Sequence, residues 1–342
     1  MFKTRVSSFL KKGITLAGLL SWWEDHITHW PRVIFYHYVG NDAPFFLADM
    51  AVPTDVFLEQ ISALRSRYRF LTWEEYKQAL ASPNGATRCL LLTFDDGFAS
   101  TWSTMSTLAR EQEIPSVFFL NTRVLDNAYA PWPIQYYFLR GQANGKFLEP
   151  LWKSISSGQV LSAVATRSRC HECFSLESVV TPIEEGLANF GLTPAELAEQ
   201  YRLYVGGGDV RNRNPLIDIG NHSHSHYILS RLSDSELNDD LQTSHKLLVE
   251  VLGGQPDCFA YPFGIPGEHC NERCLRTLRS IGPYPFIFSG QDTVGRPSNF
   301  NDIGRICLDA VGTTDVVATA AKVTPRALKT WLIGNSRTSK VA

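Results

Sequence analysis

A chain of 342 residues with 44% hydrophobic residues can bury a large core, which excludes a disordered polymer. A formal net charge of −2 excludes a global electrostatic pull toward nucleic acid. Seven cysteines, an odd number in so long a chain, do not read as a disulfide scaffold and point to a reduced, cytoplasmic setting.

In chain order, Lys3, Arg5, Lys11 and Lys12 precede the apolar run Gly13–Leu20. The run resembles the core of a signal peptide, but no small-x-small cleavage site follows. It also falls well short of the ~20 apolar residues that span a bilayer. Phe2, Val6, Phe9, Leu10, Leu16, Leu20 and Trp23 recur at roughly helical spacing. Residues 1–30 therefore read as an amphipathic segment. It either packs on the domain or makes peripheral contact with an anionic membrane surface through residues 1–23.

Val33–Val39 is a β-rich apolar run ended by Gly40, so it predicts a buried strand. Phe57, Ile61 and Leu64 share one face of a predicted helix. Thr72-Trp73-Glu74-Glu75 is a capping box that opens a second helix. Cys89–Phe94 predicts a strand running directly into Asp95-Asp96-Gly97; a helix at about 100–112 and a strand at 116–120 follow. The alternation breaks at 123–214, a stretch with helical patterns and the aromatics Trp132, Tyr136 and Tyr137. It reads as a helical insertion in one domain covering 31–333, with a tail at 334–342.

Strand–helix rhythm resumes at Leu216–Gly220. Ser233-Asp234-Ser235-Glu236 caps a helix to about Leu252, and a strand at Cys258–Tyr261 ends in Pro262-Phe263-Gly264. A helix near 270–281, strands at 285–288 and 305–308, and a helix near 314–332 complete the chain. Repeated βα units with apolar strands predict a parallel barrel or sheet covered by helices.

In such folds reactive groups sit at the carboxyl ends of strands. Asp95 and Asp96 occupy one such end, His222, His224 and His226 another, His37 a third, and Tyr261–Gly264 a fourth. Two carboxylates facing one cavity repel unless a cation keeps both ionised. A divalent metal on one of them leaves the other free to take a proton from water, and the metal also makes that water more acidic. Carboxylate and imidazole donors suit zinc. If 222–226 were extended, all three histidines would share one face, which is a rival ligand set. Cys170, Cys173, Cys270 and Cys274 are a weaker zinc candidate, because their spacing is irregular.

Thr93-Phe94-Asp95-Asp96-Gly97-Phe98 resembles the first motif of the NodB-homology polysaccharide deacetylases (carbohydrate esterase family four). Gly220–His226 is similar to their second motif and Phe259–Gly264 to their third. The resemblance spans about 33–310 outside the insertion and implies a distorted (β/α) barrel of about seven parallel strands. It implies metal-dependent removal of an N-acyl group, here N-acetyl, from an amino sugar in a polysaccharide or glycan precursor, in a cell-envelope or exopolysaccharide role. Carried over by position, Asp95 is the general base, and Asp96, His222 and His226 hold one divalent metal, expected to be Zn²⁺.

Two positions depart from the family pattern. Ala260 stands where an Arg orients the base, and Ile306–Ala310 lacks the histidine that serves as general acid. Some poly-N-acetylglucosamine deacetylases have a permuted motif order with the acid on the first strand. Tyr36-His37-Tyr38 resembles that arrangement, which implies His37 as the acid. By the same analogy Phe263 supplies an oxyanion N–H, with Tyr261 beside it. The departures keep a non-catalytic carbohydrate-binding relative as an alternative, along with a metal amidase or deformylase acting on a non-polymeric substrate.

Overall fold

The computed structural model describes residues 30–81, 87–291 and 300–321. The segment 1–29 and the tail 334–342 lie outside them, as does most of the helix expected near 314–332.

The strands are β1 (Arg32–Tyr36), β2 (Tyr38–Val39), β3 (Ala51–Val52), β4 (Arg69–Phe70), β5 (Cys89–Phe94), β6 (Ser116–Leu120), β7 (Ile217–Asn221), β8 (Cys258–Ala260), β9 (Phe286–Ser289), β10 (Ile303–Gly304) and β11 (Ile306–Cys307). All pairings between named strands are parallel, in the order β10-β9-β8-β7-β6-β5-β1-β11; β4 adds to β5, and β2–β3 is a separate small pair.

The two ends of that order are neighbours in sequence. Ile303 pairs with Phe288 on one side, and Ile306 pairs with Ile34 on the other. Only Arg305 separates the two short strands, so this segment closes the sheet into a barrel. Counting β10 and β11 as one interrupted strand, the wall has the expected seven positions.

Alternation along the strands sorts side chains into two layers. Ile34, Tyr36, Leu90, Leu92, Phe94 and Phe118 face outward. They pack under helices Thr54–Arg65 (α1) and Ala99–Gln112 (α3), against Phe57, Ile61, Leu64, Met105 and Leu108. Val33, Leu91, Val117, Phe119, Ala260, Phe288 and Ile303 form a second cluster inside the barrel. Trp73 and Tyr76 of α2 (Trp73–Ala81) join it from one end. The same period of two carries Thr93 and Asp95 inward after Leu91, and Phe35 and His37 after Val33. Apolar layers fill the barrel, and its carboxyl-terminal mouth is left to the polar residues.

Between β6 and β7 the chain forms helices α4 (Trp132–Arg140), α5 (Glu149–Ser156), α6 (Ala163–Glu172), α7 (Thr181–Phe190), α8 (Pro194–Tyr201) and α9 (Gly207–Arg211). Trp132, Phe138, Leu151, Ile183 and Leu187 pack there in a continuous cluster. That cluster extends to Leu237 of α10 (Asp234–Leu252) and Leu278 of α11 (Glu272–Ile281). The capping boxes at Thr72 and Ser233 form as expected, each with a reciprocal Glu contact. Among the described residues no helix is long and apolar enough to cross a membrane.

Candidate active site

At the end of β5 the backbone turns sharply, with left-handed φ of 71° at Asp96 and 80° at Gly97. Aspartate tolerates that region better than most residues, and Gly without strain. The turn separates the two carboxylates. Asp95 continues the inward face, while Asp96 is swung toward the loop after β7.

That loop is not extended. Ser223 and His226 have φ of 68° and 56°, and the His226 N–H donates to Ser223 Oγ at 3.2 Å. The coil brings His222 and His226 onto Asp96, with their Nε2 atoms 3.5 and 3.3 Å from Asp96 Oδ1. His224 points elsewhere and shares a 2.8 Å hydrogen bond with Thr122 Oγ1, so the three-histidine set does not form. Asp240 of α10 holds the loop, accepting the N–H groups of His224 and Ser225 at 3.0 and 2.9 Å. Its distance in sequence and ordinary helical context gave no sign of this contact.

Asp96, His222 and His226 fit a metal. Two donors bonded at ~2.0–2.2 Å to one tetrahedral ion lie roughly 3.3–3.5 Å apart. Asp96 Oδ1 is buried without a hydrogen-bond partner among the described residues, which is costly unless a cation is there to meet it. His222 Nδ1 lies 2.5 Å from the Ala260 carbonyl. Donation of that N–H leaves Nε2 as the lone-pair atom facing Asp96, the outer-sphere arrangement common for histidine ligands. Burial opposes ionisation of Asp96. The facing imidazoles of His226 and His222 outweigh it and hold the carboxyl well below its usual range.

Position 260 carries no Arg, but Asp95 is paired with an Arg from another part of the chain. Arg305, at the barrel seam, bonds Asp95 through both terminal guanidinium nitrogens, at 2.6 and 2.7 Å. Its Nε also donates to the Ser289 carbonyl at 3.1 Å, and its plane lies over Phe35. Burial pushes Asp95 up, but the charge and hydrogen bonds of Arg305 hold it below the usual carboxylate range. Sequence motifs could not find this partner, because it lies between β10 and β11 and not in the third motif.

His37 lies beyond β1. Its Nδ1 sits 2.5 Å from Asp309 Oδ2, and its backbone N–H donates to Asp309 Oδ1 at 3.0 Å. Burial lowers the affinity of His37 for a proton. Asp309, by charge and hydrogen bond, reverses this and raises the pKa well above the ordinary value. The closing segment, read from sequence as a strand whose motif lacks a histidine, thus provides partners for both Asp95 and His37.

Asp95, Asp96, His222, His226, His37 and Asp309 all line one cavity of about 300 Å³. Tyr261 and Phe263 line it too; Phe263 has φ of 64°, and its ring centroid lies 4.7 Å from that of His226. The insertion contributes Pro133, Ile134, Tyr137 and Arg167 to the same wall. The described residues contain two groups with metal-ligating geometry: Asp96–His222–His226, and His37–Cys307–Asp309. The four-cysteine zinc candidate is not among them.

Residues 211–283 match the polysaccharide deacetylase family model, a span holding the histidine loop and β8. No curated protein matches the chain. Among solved structures, IcaB from Ammonifex degensii is 18% identical, covers 85% of this chain and 97% of its own, and gives a TM-score of 0.54. The deacetylase PplD of Streptococcus pyogenes, solved in complex with acetate, is 16% identical over 85% and 97% of the two chains, with a TM-score of 0.52. A de-N-acetylase from Aggregatibacter actinomycetemcomitans is 14% identical over 84% and 98%, also at 0.52. At these identities the likeness establishes the fold. The resemblance read from the motifs therefore holds in the family match and in the architecture.

Proposed function

We propose that this chain, a polysaccharide-deacetylase homologue with the NodB-homology barrel, is a hydrolase of carbon–nitrogen bonds other than peptide bonds that removes the N-acetyl group of an amino sugar. One observation carries this reading. Three metal-type donors converge on the wall of a cavity that also holds a carboxylate fixed by Arg305 and an imidazole fixed by Asp309.

Asp96, His222 and His226 would hold one divalent metal, for which zinc suits the donors. When bound, it supplies positive charge that makes a neighbouring water more acidic and stabilises negative charge on the acyl oxygen. Asp95 takes the proton of the attacking water. Arg305 keeps this base ionised and its oxygens fixed in direction. As water oxygen bonds to the acyl carbon, negative charge develops on the carbonyl oxygen, and the N–H of Phe263 is the proposed backbone donor to it. With Nδ1 committed to Asp309, His37 presents Nε2 to the cavity. Its proton passes to the sugar nitrogen as the carbon–nitrogen bond breaks, releasing acetate and a free amine.

The non-catalytic alternative drew on the missing Arg and the missing acid. Arg305 and His37 supply candidates for both roles in this cavity, so it loses that support. The substrate is proposed as an N-acetylated glycan or its precursor, in an exopolysaccharide or cell-envelope setting. The test is acetate release from polymer-, lipid- and nucleotide-linked N-acetyl sugars, with N-formyl sugars and small amides alongside, before and after chelation. Chelator-sensitive acetate release from a sugar supports the reading. Hydrolysis of small amides alone, or none at all, overturns it.

A further inference from the structure

We propose that Cys307, His37 and Asp309 form a second metal site, for a thiol-seeking divalent ion such as zinc, distinct from the Asp96 cluster. Cys307 Sγ lies 3.3 Å from Asp309 Oδ2, and His37 Nδ1 lies 2.5 Å from the same oxygen. The three donor atoms are all within 4.8 Å of one another. Barrel closure creates this grouping. Phe35 is paired with Cys307 in register, so the next residues of the same alternation, His37 and Asp309, also meet. Cys307 is exposed and His37 and Asp309 are partly so, which leaves an approach from solvent.

The donor set selects the ion. A thiolate with an imidazole and a carboxylate favours zinc or cobalt over magnesium or calcium, which prefer all-oxygen shells. Binding releases the thiol proton of Cys307 and the proton shared by His37 and Asp309. The ion takes the place of both, and the 2.5 Å contact widens to admit it. No redox step is involved.

The consequence rests on the deacetylase reading. An imidazole bound to a cation at Nδ1 carries only a weakly acidic N–H at Nε2, so His37 can no longer act as acid. Metal at the Asp96 cluster would support turnover, while further zinc at Cys307 would stop it.

Cobalt titration of the metal-free full chain tests the site without reference to activity. The Asp96 cluster has no sulfur, so a near-ultraviolet thiolate-to-cobalt band reports on the second site. Two equivalents are expected, the second raising the band. Cys307→Ser should keep the first equivalent and lose the band. Its second-site affinity should fall by more than the roughly 10–100-fold that loss of an outer-sphere partner costs. A single equivalent in the unaltered chain, or a band that persists in Cys307→Ser, would overturn the site. In turnover, excess zinc should inhibit the unaltered chain and spare Cys307→Ser; equal inhibition of both would overturn the inhibitory role. A cysteine-dependent band in a chain that hydrolyses no N-acyl sugar would uphold the site and sink only the deacetylase reading.

Discussion

Arg305 and Asp95 meet in a two-pronged ion pair, at 2.6 and 2.7 Å, where their side chains are 1% and 4% exposed. The pair sits at the seam of the barrel, so one contact both fixes the proposed base and ties β10 and β11 to β5. Removing one partner of a buried pair strands the other charge, which costs about 3–5 kcal/mol. Arg305→Ala should therefore lower stability by that order in urea unfolding. With burial no longer opposed by the guanidinium, the Asp95 pKa should rise and the acid limb of the rate profile should move to higher pH. Arg305→Lys keeps the charge without the fork, so it should recover much of the stability and less of the rate. Unchanged stability and rate in both variants would remove Arg305 from the site.

His37 and Asp309 make the complementary prediction. A general acid must carry its proton, so the rate should fall as pH rises through the raised pKa of His37. Asp309→Asn removes the charge that raises it and leaves burial, which lowers it. The alkaline limb should then shift to lower pH, while the metal content of the Asp96 cluster stays the same. His37→Ala should lose about 10²–10⁴ in rate and keep a measurable remainder. An unmoved alkaline limb in Asp309→Asn would assign that limb to another group.

The β-rich runs, the period of two and the capping boxes made the barrel legible, because those signals are local. Asp95-Asp96-Gly97 and the histidine loop were also legible, since motif and strand end coincide there. Arg305 and Asp309 were not. Their segment is two residues of strand on either side of the seam, and its pairing partners β9 and β1 are set by barrel closure. Short-range patterns carry no record of that. Likewise, His222, His224 and His226 alternate as if extended, and only the left-handed φ at Ser223 and His226 selects two of the three.

Asp96 supplies the only carboxylate of its cluster, and its Oδ1 is the atom that both imidazoles face. Asp96→Ala should abolish metal binding at that cluster, measured by calorimetry, and acetate release with it. Full activity in this variant would end the metal-hydrolase reading.

Asp240 acts on the same cluster from a distance. It accepts two backbone N–H groups between the histidines, and replacement by Ala leaves the buried one of Ser225 and the partly buried one of His224 without that acceptor. Each unsatisfied group costs about 1–3 kcal/mol, and a loosened loop spreads the ligands. Asp240→Ala should bind the Asp96-cluster metal about 10–100-fold more weakly. If affinity held while stability fell, Asp240 would be structural only.

The insertion brings Ile134 and Tyr137 of α4 to the cavity wall opposite the barrel residues. Tyr137 is only partly buried and lines the cavity, which places it to meet a ligand there. It takes no part in the proposed proton transfers, and a contact of that kind is made equally in the bound substrate and the transition state. Loss of such uniform binding raises KM and leaves kcat nearly intact. Tyr137→Ala should therefore raise KM for the best N-acetyl glycan several-fold at nearly constant kcat. The effect should shrink for a minimal N-acetyl sugar that does not reach α4. A matching loss of kcat on both substrates would instead mean that Tyr137 supports the geometry of the catalytic groups.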